Sequence, residues 1–264
     1  LEKGESVLRG RSYCPQCGYQ LSWQDLIPVA SFVMLGGKCR YCKKPISWQY
    51  LLVELSTALI FLPIFSAIGG PALGGNSQFS IINEFSNFLI FKLAYLWIIA
   101  AFLIILFVYD LQHYILPDKI LFPAIGLVVL YRFVEFGALN NWKLIEHWSL
   151  NIENSAPLAN AVLSAIAAAG LFFAIFALSK GTAMGFGDVK LVFFMGLFLG
   201  WPNILVALFV AFLSGAIIGL GLIGLGTKSL KSEIPFGPFL ILGTSAVLFW
   251  GSEIVRWYAN LINF

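Results

Sequence analysis

The chain has 264 residues, of which 59% are hydrophobic and only 11% charged, with a net charge of +3. A soluble domain is nearer half apolar and about a quarter charged. Here the apolar surplus lies in long runs, which exclude a soluble fold and point to a polytopic membrane protein. So small a net charge gives no reason to expect a nucleic-acid partner.

Residues 1–48 differ from everything that follows. They hold all four cysteines, seven of the sixteen Lys and Arg residues, and several turn formers. The cysteines come in two pairs, Cys14-Pro-Gln-Cys17 and Cys39-Arg-Tyr-Cys42. Each pair makes a tight turn that presents two thiolates, and four thiolates close a tetrahedron around zinc with no site left open for catalysis. The expected role is therefore structural, because so small a module needs a metal to stay folded. Two disulfides are the alternative. The "GGK" before Cys39 reads as a turn. The chain opens on Leu1 in polar sequence with no visible signal peptide, so the natural chain is expected to begin earlier.

Seven apolar spans follow, at about 49–68, 88–109, 114–136, 158–179, 189–200, 203–226 and 236–256. Each is read as a helix, since a helix satisfies its own backbone in lipid. The short fifth span is expected to begin earlier, near Gly185. The expected fold is thus all-α and polytopic, with about seven transmembrane helices (eight if a missing N-terminal one is counted). A small module occupies residues 1–48 and the membrane domain residues 49–264. No internal repeat is visible.

Positive charge sets the expected orientation. Lys119, Lys180, Lys190, Lys228 and Lys231 fall in loops on the same side as the basic module. The opposite loops hold Lys143 alone. The module is therefore placed in the cytoplasm, a compartment that disfavours disulfides. The long loop 137–157, with His147, lies on the outer side and receives no catalytic role.

Ionisable groups inside spans are costly and are functional candidates by default. Asp110 closes "WIIAAFLIILFVYD", Asp188 opens the short fifth span, and Glu54 lies in "YLLVELSTALI". Arg132 and Glu135 are spaced to pair along one helix. The topology puts Asp110 and Asp188 at the same membrane face. Two carboxylates brought together in a dry site cannot both ionise easily, so the pair holds one proton between them. One member can then deprotonate a water while the other donates a hydrogen bond to a carbonyl. In the alternative reading each acid merely reaches the interface beside a lysine, Asp118 near Lys119 and Asp188 near Lys190. Gly185 and Gly187 could let Asp188 move toward a substrate. "GFG" lacks the Gly-Lys-Ser/Thr of a phosphate loop and the third glycine of a dinucleotide fingerprint. Pro117 and Pro123 are expected to break or bend the helix after Asp110.

These residues carry a resemblance. "GFGD" at 185–188 is similar to the Gly-x-Gly-Asp signature of membrane aspartic peptidases. "DLQHYILPD" at 110–118, the paired cysteines, "IPVASF" at 27–32, "ISWQYLLVELST" at 46–57 and "IPFGP" at 234–238 resemble the type IV prepilin peptidases within that group. The resemblance covers essentially the whole chain. It implies a bifunctional inner-membrane enzyme that removes the basic leader of prepilins and pseudopilins after a glycine, at the cytoplasmic face. The enzyme then methylates the new N-terminal residue with S-adenosylmethionine. By position it implies Asp110 and Asp188 as the catalytic pair and Cys14, Cys17, Cys39 and Cys42 as the metal ligands. Gly37 matches a glycine linked to methyl transfer, and Glu54 falls in the family's "VEL" stretch. A helix–helix hydrogen bond is the other reading of Glu54. Where the family often has a second acid after the first aspartate, this chain has Gln112. His113 is read as interfacial, and Lys190 as a contact for lipid phosphate. A proton- or ion-coupled transporter using Asp110 and Asp188 is the competing class, and a zinc-module scaffold a third. The sequence carries no signal of oligomeric state.

Overall fold

The computed structural model of the protein describes residues 12–14, 16–27, 29–73, 82–141, 158–182, 184–226 and 235–262. Lys143, His147, Lys228 and Lys231 and most of the loop 137–157 lie outside the described residues, as does the side chain of Glu135.

A single 3-10 turn, Trp23–Leu26, and eight α-helices make up the regular structure of the described residues. The first helix, α1 (Ala30–Met34), is one turn long. Seven long helices follow: α2 (Trp48–Leu73), α3 (Ile82–His113), α4 (Asp118–Asn141), α5 (Leu158–Leu178), α6 (Phe186–Leu199), α7 (Asn203–Gly224) and α8 (Gly237–Ile262). They fall one for one on the seven predicted spans. Phe91–His113, Leu158–Leu178 and Asn203–Gly224 are long and apolar enough to cross a membrane, and Val53–Leu62 and Gly237–Gly251 are shorter apolar stretches. Large apolar side chains such as Leu163, Ile166, Phe209 and Leu220 point outward, as expected of a surface whose solvent is lipid.

The chain divides into two compact units, Leu1–Leu62 and Pro63–Phe264. In the second unit α6 is the core helix, packed by α4, α5, α7 and α8. Its apolar residues run around every face, and Leu191, Val192, Phe194 and Met195 are fully buried. That all-round pattern is what a helix buried on all sides needs. Small residues bring its neighbours close. A Cβ on Gly196 would run into the Ala165 backbone of α5, and one on Gly243 of α8 would meet the Ala207 carbonyl of α7.

The expected pairing of Arg132 with Glu135 falls on a side chain outside the described residues. Arg132 of α4, which is buried, reaches across to α6. Its Nε donates to the Leu197 carbonyl (3.2 Å) and its Nη2 to the Phe198 carbonyl (2.7 Å). A cation is thereby set on the otherwise unpaired carbonyls at the negative end of the α6 dipole. Of the two prolines, only Pro117 interrupts the helix. It lies between α3 and α4, whereas Pro123 sits inside a continuous α4. Its place near the start of α4 limits the loss to one early backbone bond.

Candidate active site and cysteine module

In the second unit, Asp110 lies in the last turn of α3 and is only 4% exposed. The chain then turns sharply. The Tyr114 N–H donates to the Asp110 carbonyl (2.9 Å), and Tyr114 itself adopts a positive φ of 56°. Buried Leu116 and then Pro117 lead into α4. Asp188 is the third residue of α6 and is 9% exposed. Its Oδ2 accepts from the Gly185 N–H (3.3 Å), so the side chain caps its own helix. Leu116, six residues after Asp110, lies against Gly187, the residue before Asp188, with its Cβ 3.1 Å from where a glycine Cβ would stand. The two helix ends are thereby brought to one place, although 77 residues of chain separate the two acids.

Gly185 has an ordinary extended backbone (φ −77°, ψ 150°), and Gly187 lies within α6. The backbone freedom that suggested a hinge is not used in this structure. Gly187 supplies space instead, because a Cβ there would come within 3.1 Å of the Leu116 Cβ. Sequence reasoning missed a second glycine of this kind. Gly237, the first residue of α8, lies so close to Asp110 that a Cβ would overlap Oδ2 and approach Cγ to 3.1 Å. The motif "IPFGP" was its only signal. Asp110 Oδ2 is buried and has no hydrogen-bond partner among the described residues, so it has capacity to bind a reacting group. We expect Gly237→Ala to push the Asp110 carboxyl aside and to cut turnover by roughly 100-fold, the scale of a misplaced reacting group. Steady-state cleavage by the purified variant checks this, and an unchanged rate would show that the close approach is irrelevant.

The reading in which each acid pairs with an adjacent lysine does not match the contacts. Lys190 Nζ donates to both oxygens of Asp118, at 2.6 and 2.8 Å. The ammonium also lies over the Phe186 and Phe122 rings, 5.0 and 5.4 Å from their centroids. This cation is therefore held by protein groups. Exposed His113 rests against the Tyr109 ring, centroids 4.5 Å apart.

In the first unit the cysteine pairs form two matching turns. The Gly18 N–H donates to the Cys14 carbonyl (2.8 Å) and the Lys43 N–H to the Cys39 carbonyl (3.0 Å). Gly18 and Lys43 occupy equivalent positions with φ of 70° and 59°. The bridges Tyr13–Gln20 and Lys38–Pro45 close the base of each turn. All four cysteines are free thiols, and their sulfurs lie within 4.8 Å of one another, with Cys14 and Cys42 4.0 Å apart. Tetrahedral zinc with bonds of about 2.3 Å needs sulfurs about 3.8 Å apart, so the donor set fits such an ion with little adjustment. Backbone N–H groups of Gln16 and Cys17 pull the Cys14 thiol down to about 7.

Asp25 was not anticipated. Its side chain is 4% exposed and lies 2.7 Å from Arg40 Nε. It accepts from the Ser22 N–H (3.1 Å), the Ser22 hydroxyl (2.7 Å) and the Tyr41 hydroxyl (3.3 Å). Arg40 and Tyr41 are the two residues between Cys39 and Cys42, so Asp25 ties the linker to the second cysteine turn. Burial alone would raise its carboxyl, but the Ser22 bonds and the Arg40 charge outweigh this and hold it below the usual range. The Ser-x-x-Asp spacing was the legible signal.

Gly37 and Glu54 each have a structural task. Gly37 adopts a left-handed conformation (φ 68°) after α1, and its bare Cα faces the Phe32 ring. Glu54 Oε2 accepts from the Val29 N–H at 2.7 Å, at the entry to α1. Val29 is itself at a positive φ of 59°, an unfavourable state for a β-branched residue that this bond helps to hold.

Fold and site together define a polytopic helical membrane protein that joins two buried carboxylates, with a separate four-thiol module. Residues 1–68 match the family of the Bacterial Peptidase A24 N-terminal domain, and residues 97–220 match the Type IV leader peptidase family. A prepilin leader peptidase/N-methyltransferase of Aeromonas salmonicida is 32% identical over 256 residues, 96% of this chain and 75% of its own length. Proteins of the same name from Legionella pneumophila and Pseudomonas aeruginosa are 32% and 27% identical, over 94% and 96% of this chain and 75% and 76% of their own lengths. No solved structure matches the chain. The chain belongs to the type IV leader peptidase family. This bears out the resemblance read from the motifs and the expectation of an enzyme.

Proposed function

We propose that the protein is an aspartic endopeptidase that removes the leader peptide of type IV prepilins and pseudopilins after glycine. The observation that carries this reading is the burial of Asp110 and Asp188 at helix ends that Leu116 joins, by its contact with Gly187 and its approach to Gly237 beside Asp110. With one shared proton, the ionised member takes a proton from water as the water oxygen attacks the scissile carbonyl. The protonated member donates a hydrogen bond to the carbonyl oxygen. Collapse of the tetrahedral adduct breaks the C–N bond and passes a proton to the leaving amine. Oδ2 of Asp110, which has no partner among the described residues, is where that water would be held. Gly185, Gly187 and Gly237 are assigned to shaping the walls around the pair.

The enzyme is placed in the bacterial inner membrane, with the active site and cysteine module facing the cytoplasm. The excess of Lys and Arg in that module and in the loops beside the two aspartates supports this orientation. Cys14, Cys17, Cys39 and Cys42 are assigned to one structural zinc ion, which supplies cross-linking and no chemistry. N-methylation of the new N-terminus rests on the names of the relatives. S-adenosylmethionine would supply the methyl group. The structural tasks of Gly37 and Glu54 fit a folding role better than a donor site, so neither is given a step in the transfer.

The test is to incubate the purified enzyme with a prepilin and weigh the product. Loss of the leader is expected, followed by the mass of one methyl group when S-adenosylmethionine is added. An uncut substrate would refute the peptidase. A cut but never methylated product would refute the second activity alone.

A further inference from the structure

The active site as described leaves one ion pair without a task. Lys190 is two residues from Asp188, and Asp118 is the first residue of α4, after the linker from Asp110. Positions two apart on a helix point in different directions, so Lys190 cannot serve the charge of Asp188. Its ammonium instead crosses to α4 and bonds both Asp118 oxygens, at 2.6 and 2.8 Å. The Asp118 side chain is 52% exposed and that of Lys190 22%. A pair so open adds little to stability, and an acid at the first residue of α4 already suits that helix's dipole. Stability alone therefore gives the pair little purpose.

Its placement gives it one. The short segment 114–118 joins the helix of the first aspartate to α4. Leu116, at its middle, lies against Gly187, with 3.1 Å from its Cβ to the position of a glycine Cβ. The same side chain reaches toward Gly237, with 3.5 Å from Cδ2 to the corresponding position. Leu116 thus touches the neighbour of Asp188 and the glycine that faces Asp110. Asp118–Lys190 fastens the far end of this segment to the first turn of α6.

We infer that Asp118 and Lys190 are positioning residues, a polar clamp that fixes the spacing of Asp110 and Asp188 by locking the segment 114–118 onto the first turn of α6. The inference rests on the peptidase reading for its catalytic consequence and on contacts alone for its mechanical one.

Two measurements separate those parts. In prepilin cleavage, Lys190→Met and Asp118→Asn should each lower kcat roughly tenfold, with KM within about twofold of wild type, because reacting groups and not substrate contacts are displaced. Lys190→Arg, which keeps a cation within reach of Asp118, should retain most of the rate. In amide hydrogen exchange, residues 114–118 and 186–190 should lose protection in Lys190→Met while the centre of α6 keeps it. A wild-type kcat in Lys190→Met, an Arg variant as slow as the Met variant, or unchanged exchange in the two segments would each overturn the clamp. If wild-type enzyme leaves prepilin uncut, the peptidase reading fails, and the exchange experiment still decides whether the clamp exists.

Discussion

Asp110→Asn and Asp188→Asn are each expected to abolish prepilin cleavage while leaving a protein at least as heat-resistant as the wild type. Asparagine keeps the shape of the carboxyl and removes its titration. The loss should be roughly 10²–10⁴-fold or more, the range carried by a positioned acid or base. The two residues act as one unit sharing one proton, so the double variant should be no slower than either single one. Stability should not fall, because asparagine fills the same buried space and carries no charge to be desolvated. Turnover measured beside thermal melting in detergent checks both halves. Substantial cleavage by either variant would remove the peptidase assignment. Inactive variants that also melt early would show a structural role for the acids.

The second large effect concerns the metal. Purified protein should contain one zinc ion per chain, held by Cys14, Cys17, Cys39 and Cys42. Removing it with a strong chelator, or replacing Cys39 by serine, should unfold residues 12–47. Structural zinc contributes about 10–16 kcal/mol of apparent binding energy to small modules, more than a core this size supplies by itself. Without the ion, the four sulfurs within 4.8 Å of one another lose their shared ligand, and only the turn bonds and the Asp25 network remain to hold the module. Limited proteolysis should then cut within the module and leave the helices of the second unit intact. Metal analysis shows which ion is bound. A module that resists protease after full chelation would mean that Asp25 and its partners hold the fold alone.

Much of this architecture was legible in the sequence, and the missing parts share a cause. The cysteine pairs, the apolar spans and the two aspartates announce themselves by local pattern, which is all that a linear reading can use. Arg132 shows the limit. Two of its contacts are to carbonyls 65 and 66 residues away, which no local spacing announces. Lys190 has a local acid, but bonds one 72 residues distant. Gly237 is separated from Asp110 by most of the membrane domain, so its need for a bare Cα cannot be read from spacing. Gly187 was singled out correctly but for backbone freedom, whereas the structure uses the space it leaves. In each case the helix was legible and the face it presents to a distant neighbour was not.

The dimensions of α6 bear on how the protein is made. Its 14 residues cover about 21 Å, whereas a hydrocarbon core is about 30 Å thick. Such a segment is a poor candidate for independent insertion, and its buried faces match neighbouring helices and not lipid. Its entry therefore depends on a slot already lined by α4 and α5 and closed by α7 and α8. Asp188 enters with it. On the peptidase reading, the pair of acids is therefore complete only after α6 has been made and packed against its neighbours.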